Sequence, residues 1–166
     1  MSGASIEVEI RDQVVVRAFQ RLEGVMDNTT PVMAAIGTGL VGSTHRRFLT
    51  QTDPDGAPWV ALNPDYKAIK RNSRILTETG RLRDSITSRA GRDQVVVGTN
   101  VIYAAVHQFG ATIVPKNATH LVFRLATGVV LAKSVTVPAR PFLGINDDDE
   151  EMIADTVFGF VERRTR

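Results

Sequence analysis

Three histidines, His45, His107 and His120, are the only imidazoles in a 166-residue chain that contains no cysteine. Without cysteine there is no thiolate nucleophile, no disulfide and no Cys-based zinc site. The histidines are widely separated, and none forms the pair four residues apart, with an intervening Glu, that a zinc protease needs. His107 sits beside Gln108 and four residues after Tyr103, a setting that reads as structural or solvent-facing rather than as a general base. No Gly-x-Ser-x-Gly elbow and no supported Ser-His-Asp order occurs. Between residues 28 and 146 the carboxylates are Asp53, Asp55, Asp65, Glu78, Asp84 and Asp93, mostly in turn-like or basic contexts. Spacing alone does not forbid a two-carboxylate hydrolase, but nothing supports one. Asp53 and Asp55 resemble the opening of a calcium loop, yet Ala57 occupies the next ligand position and no Glu closes it. Gly37, Gly39 and Gly42 are followed by no phosphate-loop pattern, so close helix contacts are expected there instead. The expectation is a protein with no catalytic site, no metal and no cofactor.

The composition agrees with a folded domain, since 43% of residues are hydrophobic and 23% charged. A chain of this length buries roughly 70% of its unfolded surface, enough for one substantial core. There is no apolar run of membrane-spanning length, and Glu7 and Glu9 stand where a signal peptide would be basic and then apolar. A soluble protein made in the cytoplasm is expected. Formal net charge is only +2, but it is unevenly placed. Eight Lys and Arg between Lys67 and Arg92 face only Glu78 and Asp84, a local excess of six. Six acids and no base lie between Asp147 and Asp155.

The elements follow from periodicity. Ile6, Val8 and Ile10 alternate with Glu7 and Glu9, as in a short strand or extended arm over residues 1–10. Val15, Phe19, Leu22 and Met26 form a helical stripe. A second helix is expected with Thr30 as N-cap, Pro31 at the first position and a stripe of Val32, Ala35, Ile36, Leu40, Thr44 and Phe48. Residues 51–58 are turn-forming, Trp59 and Leu62 anchor the loop exit, and Asp65 to Asn72 suit a short basic helix. Beyond Gly80 the expected elements are a hairpin of 84–89 with 94–97, a helix over 101–109 closed by Gly110, and an extended 112–114. A second hairpin pairs 121–125 with 129–137, ahead of a helix capped by Asn146 or Asp147. The fold class is α+β: N-terminal helices packed on an antiparallel β-sheet, with a C-terminal helix. One domain over 11–166 carries the N-terminal arm.

Several phrases occur in a fixed order: Arg47-Phe48, then Asp53-Pro-Asp-Gly-Ala-Pro-Trp59, then Leu76-Thr-Glu-Thr-Gly-Arg-Leu-Arg-Asp-Ser-Ile86. Val97-Gly-Thr-Asn100, Tyr103-Ala-Ala-Val-His-Gln-Phe-Gly110, Ile113-Val-Pro-Lys116 and Val137-Pro-Ala-Arg-Pro-Phe-Leu-Gly144 follow. Together, over roughly residues 10–165, they closely resemble the tailed-phage virion morphogenesis (tail completion) family of Mu-like phages and prophages. Val106 and Val137 stand where Ile is the family's more usual residue.

The resemblance implies a structural virion protein of the neck, at the head-proximal end of the tail, that completes the tail and supports head–tail joining. It implies assembly in the host cytoplasm, no enzymatic turnover, and partners among other neck and tail proteins, with no membrane. The tail's six-fold symmetry in this family favours a ring of six copies over the twelve of a portal-facing layer. The separate basic and acidic blocks suit a head-to-tail contact that closes such a ring. Most of the motif residues also make sense as fold-keeping glycines, prolines and aromatics. Candidate interface residues are Tyr103, His107, Phe109, Arg140, Phe142, Leu143, Asp147, Asp148 and Asp149. The three Asp either meet a neighbour or line a lumen past which DNA slides. Lys67, Lys70, Arg71 and Arg74 are candidates to face DNA or a partner. The alternatives are a tail terminator that caps tail-tube growth and a nucleic-acid-binding domain stacking bases on Tyr66 or Trp59. A small hydrolase dependent on His107 is a further rival.

Overall fold

The computed structural model describes Gly24 and residues 27–165. The expected arm over residues 1–10 falls outside them, as does the helical stripe from Asp12 to Met26 apart from Gly24.

Helix α1 (Thr30–Thr50) organises the molecule. Its N-cap is Thr29, one residue before the expected Thr30, and Pro31 lies in the first turn, where a missing N–H costs nothing. Gln51 ends the helix with φ 60°, its N–H donating to Arg47 O at 2.7 Å. Val32, Ile36, Thr44 and Phe48 are buried, as the stripe requires, but so is Arg47. The glycines divide by surroundings. A Cβ at Gly37 would lie 2.8 Å from Ser88 and Val95 atoms, and one at Gly39 would lie 2.6 Å from Met152 Sδ, whereas Gly42 faces open space. Close packing is therefore the role of the first two only.

Two short helices follow, α2 (Pro64–Ile69) and α3 (Arg81–Asp84). Asn63 Oδ1 caps α2 by accepting from the N–H groups of Asp65 and Tyr66. Gly80 precedes α3 at φ 83°, a left-handed conformation suited to glycine. Strands β1 (Thr87–Ala90) and β2 (Val95–Gly98) form the first hairpin, which starts later than expected because Arg81–Asp84 is helical. Helix α4 (Ala104–Phe109) is shorter than the expected 101–109. Strands β3 (Ala111–Ile113), β4 (Leu121–Leu125), β5 (Gly128–Ala132) and β6 (Val135–Val137) precede the long closing helix α5 (Asp147–Thr165).

The class is α+β with a C-terminal helix. Among the described residues, however, the strands form three separate two-stranded antiparallel ribbons, β1–β2, β3–β6 and β4–β5, rather than one sheet. The expected long strand over 129–137 breaks after Ala132, and Val135–Val137 turns away to pair with Ala111–Ile113. Pro138 then ends that pairing, because proline has no N–H for a ladder. Helix α1 packs on the β1–β2 ribbon and on α5. The core comprises Phe48, Trp59, Leu82, Ile86, Val101, Ala104 and Phe142. Within it Phe48 meets Trp59 edge to face at 5.4 Å and Phe142 at the same centroid distance.

Candidate functional site

The segment Pro138–Gly144 crosses the core end of α1, and side chains from three distant regions hold its backbone. Trp59 Nε1 donates to Pro141 O at 2.7 Å. Arg47 Nη1 donates to Gly144 O at 2.7 Å and Phe142 O at 3.3 Å. Gln108 Oε1 accepts from the N–H groups of Phe142 and Leu143, both at 3.0 Å, while its Nε2 donates to Leu143 O at 2.8 Å. Arg140 holds the loop exit by donating to Val60 O at 2.7 Å and Ala61 O at 3.1 Å. The backbone N–H of Arg140 donates to His107 O at 2.7 Å. Much of the polar backbone of this irregular, partly buried segment is thereby paired with side chains, as burial demands.

Arg47 extends the clamp to α5. Its Nη2 meets Asp149 Oδ2 at 2.5 Å. Asp149 Oδ2 also accepts from Asn146 N, and Asn146 Oδ1 accepts from Asp149 N at 3.0 Å, a reciprocal cap of the helix start. Of the two caps that the sequence offers, Asn146 and Asp147, the structure uses Asn146, and Asp149 as an internal anchor was not expected. One signal was available: Arg47 falls on the inward face of α1, between Thr44 and Phe48.

This geometry corrects several interface candidates. Phe142 is fully enclosed, and Arg140 and Asp149 are buried, so none of the three is a surface anchor in the folded chain. Leu143 packs half-buried against the core. Tyr103, Phe109, Asp147 and Asp148 are exposed. Of the basic candidates, Lys67, Arg71 and Arg74 are exposed. Lys70 is not, since its side chain is 3% exposed and its ammonium pairs with Glu78 at 2.7 Å and donates to Thr77 O at 2.8 Å. That hydrogen bond holds the Glu78 carboxyl below its usual range. Trp59 is buried and unavailable to stack on a base.

His107 is half-buried, with its ring edge-on to Tyr103 at 5.9 Å. Burial foremost, and the nearby Arg140 charge, hold it below the ordinary histidine value. Its Nδ1 and Thr77 Oγ1 are buried without hydrogen-bond partners, and both residues line a half-open groove of about 790 Å³. Tyr66, Leu76, Phe123 and Val137 supply apolar walls. His45 Nε2 is engaged with Arg83 O at 3.0 Å and His120 with Thr119, so the structure does not join the three imidazoles into one site. Among the described residues no three His, Asp or Glu gather to hold a metal ion, and no helix is long and apolar enough to cross a membrane.

Four of the seven phrases quoted above, those holding Arg47, Trp59, Gln108 and Arg140, thus converge on one clamp. A model of the phage virion morphogenesis family matches residues 10–162. This chain belongs to that family. As a virion morphogenesis protein it is similar to the protein named "Putative capsid assembly protein G" of Escherichia phage Mu, with 31% identity over 81% of this chain and 80% of that one. It is also similar to the Mu-like prophage FluMu G protein 2 of Haemophilus influenzae, 30% identical over 92% and 93% of the two chains. Tail completion protein S of Escherichia phage P2 is 27% identical over 89% of this chain and 97% of that protein. No solved structure matches the chain significantly. For this virion morphogenesis protein the clamp gives a physical reason for four of those phrases: Arg47, Trp59, Gln108 and Arg140 maintain the fold.

Proposed function

We propose that this protein completes the head-proximal end of a phage tail, where copies of it form a closed ring that supports joining of the tail to the filled head. The reading rests on its likeness to tail completion protein S of phage P2, which extends over 97% of that protein. Six copies match the symmetry of a tail, and twelve would match a portal-facing layer. The surface offers apolar side chains for assembly: Ile102, Phe109, Val114, Val122, Val129 and Leu131 are all exposed. Other neck and tail proteins are the remaining partners. DNA passes nearby without sequence-specific contact, and no cofactor takes part.

The test is a phage carrying a null mutation in this chain's gene. Lysates should contain filled heads and tails of normal length that have not joined. Tails of excess length would instead identify a terminator. Missing capsids would favour the capsid-assembly role that the Mu relative's name carries. Steeply salt-dependent binding of short DNA by the purified protein would favour the nucleic-acid reading, which Trp59 and Lys70, both inside the fold, no longer support.

A further inference from the structure

The β4–β5 hairpin has an outer face that is exposed and has no partner among the described residues. The register sets Val122 opposite Leu131 and Arg124 opposite Val129, and the three aliphatic side chains are 67%, 65% and 65% exposed. The inner face, with Phe123 and Leu125, lines the groove beside α2. A two-stranded ribbon supported on one side only is marginal in water, and among the described residues no further strand pairs with either of its edges. Its electrostatics are one-sided. No Asp or Glu occurs between Asp93 and Asp147, while Arg124 and Lys133 are exposed on this hairpin.

The solvent face of α5 is the converse. Asp148, Glu151, Asp155 and Phe158 follow one another at helical spacing and are all exposed, Phe158 to 72%. Among the described residues no cation pairs with Asp148, Glu151 or Asp155. An aliphatic face edged by cations and free of acids therefore exists on the same molecule as an acidic stripe carrying an aromatic.

We infer that the outer face of the β4–β5 hairpin docks on the α5 stripe of a second copy of this chain, with Phe158 seated against Val122, Val129 and Leu131 and with Arg124 and Lys133 facing Glu151 and Asp155. The two surfaces differ, so the contact is heterologous and each copy uses both, which closes into a ring or propagates. Apolar burial supplies the affinity and the charges set orientation and exclude like pairings. This contact rests on the ring proposed above and specifies how its subunits meet.

The test uses two full-length variants, Arg124→Glu with Lys133→Glu, and Glu151→Lys with Asp155→Lys. All four positions are exposed, and unchanged thermal melts verify folding. By light scattering, each variant alone should associate about tenfold or more weakly than wild type. An equimolar mixture should recover assembly, because alternating copies restore every contact. The chain has no native cysteine, so Val129→Cys in one chain and Phe158→Cys in another should form a mixed disulfide on oxidation. Wild-type-like assembly by both variants, or a mixture that does not recover, overturns the contact while leaving the ring intact. Variants that assemble normally yet fail to enter virions would show that the hairpin meets a different virion protein, which also overturns it. A wild-type protein that stays monomeric at all concentrations and in virions overturns the ring and the contact together.

Discussion

Arg47 and Asp149 form an ion pair inside the protein, with side chains only 6% and 4% exposed, that fastens the end of α1 to the start of α5. Removing one member of a buried pair leaves the other charged and unpaired, which costs about 3–5 kcal/mol. Asp149→Ala should lower unfolding free energy by about that amount in urea titrations, whereas Asp148→Ala on the surface should change it by less than about 0.5 kcal/mol. Equal effects at the two positions would refute the distinction. A combined change of Asp147, Asp148 and Asp149 therefore does not report on an interface, because its largest effect is on folding.

The pH dependence follows from His107. Its folded-state value lies below the ordinary one because burial penalises the imidazolium and Arg140 repels it. The folded chain thus binds this proton at lower pH than the unfolded chain, so the cost is absent above about pH 6.5 and grows as pH falls from there toward the folded-state value. The melting temperature should fall between about pH 7.5 and about pH 5.5, and His107→Gln should flatten that fall. Identical profiles for the two proteins would count against it.

Gly37, Gly39 and Gly42 share one helix yet should respond differently to alanine. Gly42→Ala meets nothing within 4 Å and should stabilise the protein by up to about 1 kcal/mol through helix propensity. Gly39→Ala presses on the flexible Met152 thioether and should be nearly neutral, while Gly37→Ala meets the packed β1–β2 ribbon and should destabilise by about 1–3 kcal/mol. Thermal melts of the three variants decide the order.

Phe109 and Phe142 separate surface from core. Phe142→Ala should cost about 3–5 kcal/mol of stability, and any loss of assembly should follow unfolding. Phe109, 77% exposed, should leave the melting temperature unchanged on conversion to Ala while weakening association. A stability loss at Phe109 comparable with that at Phe142 would contradict this assignment.

Much of the fold was legible from periodicity and punctuation. Pro31 marked the start of α1 and Gly110 the end of α4, and the cap of α5 was narrowed to Asn146 or Asp147, of which Asn146 serves. What periodicity could not supply was the partner of each polar residue. Phe142 beside Pro141 reads as an exposed anchor until Arg47, 95 positions away, and Gln108, 34 positions away, are seen to grip its backbone. A run of three Asp reads as solvated, and only tertiary packing selects Asp149 for the interior. Strand pairing was equally non-local: Val135–Val137 has the composition to continue β5, and its actual partner is Ala111–Ile113.

The division of the strands into three ribbons has a kinetic meaning. Among the described residues no strand lies between two others, so no ladder of hydrogen bonds links one ribbon to the next. Each ribbon can open without breaking another's backbone bonds, and amide protons should exchange as separate cooperative units. The β1–β2 pair, covered by α1, should exchange slowly. The β4–β5 pair, covered on one face, should exchange fast in the isolated subunit and slow once a neighbour lies across it, so its deuterium uptake would serve as a clock for assembly.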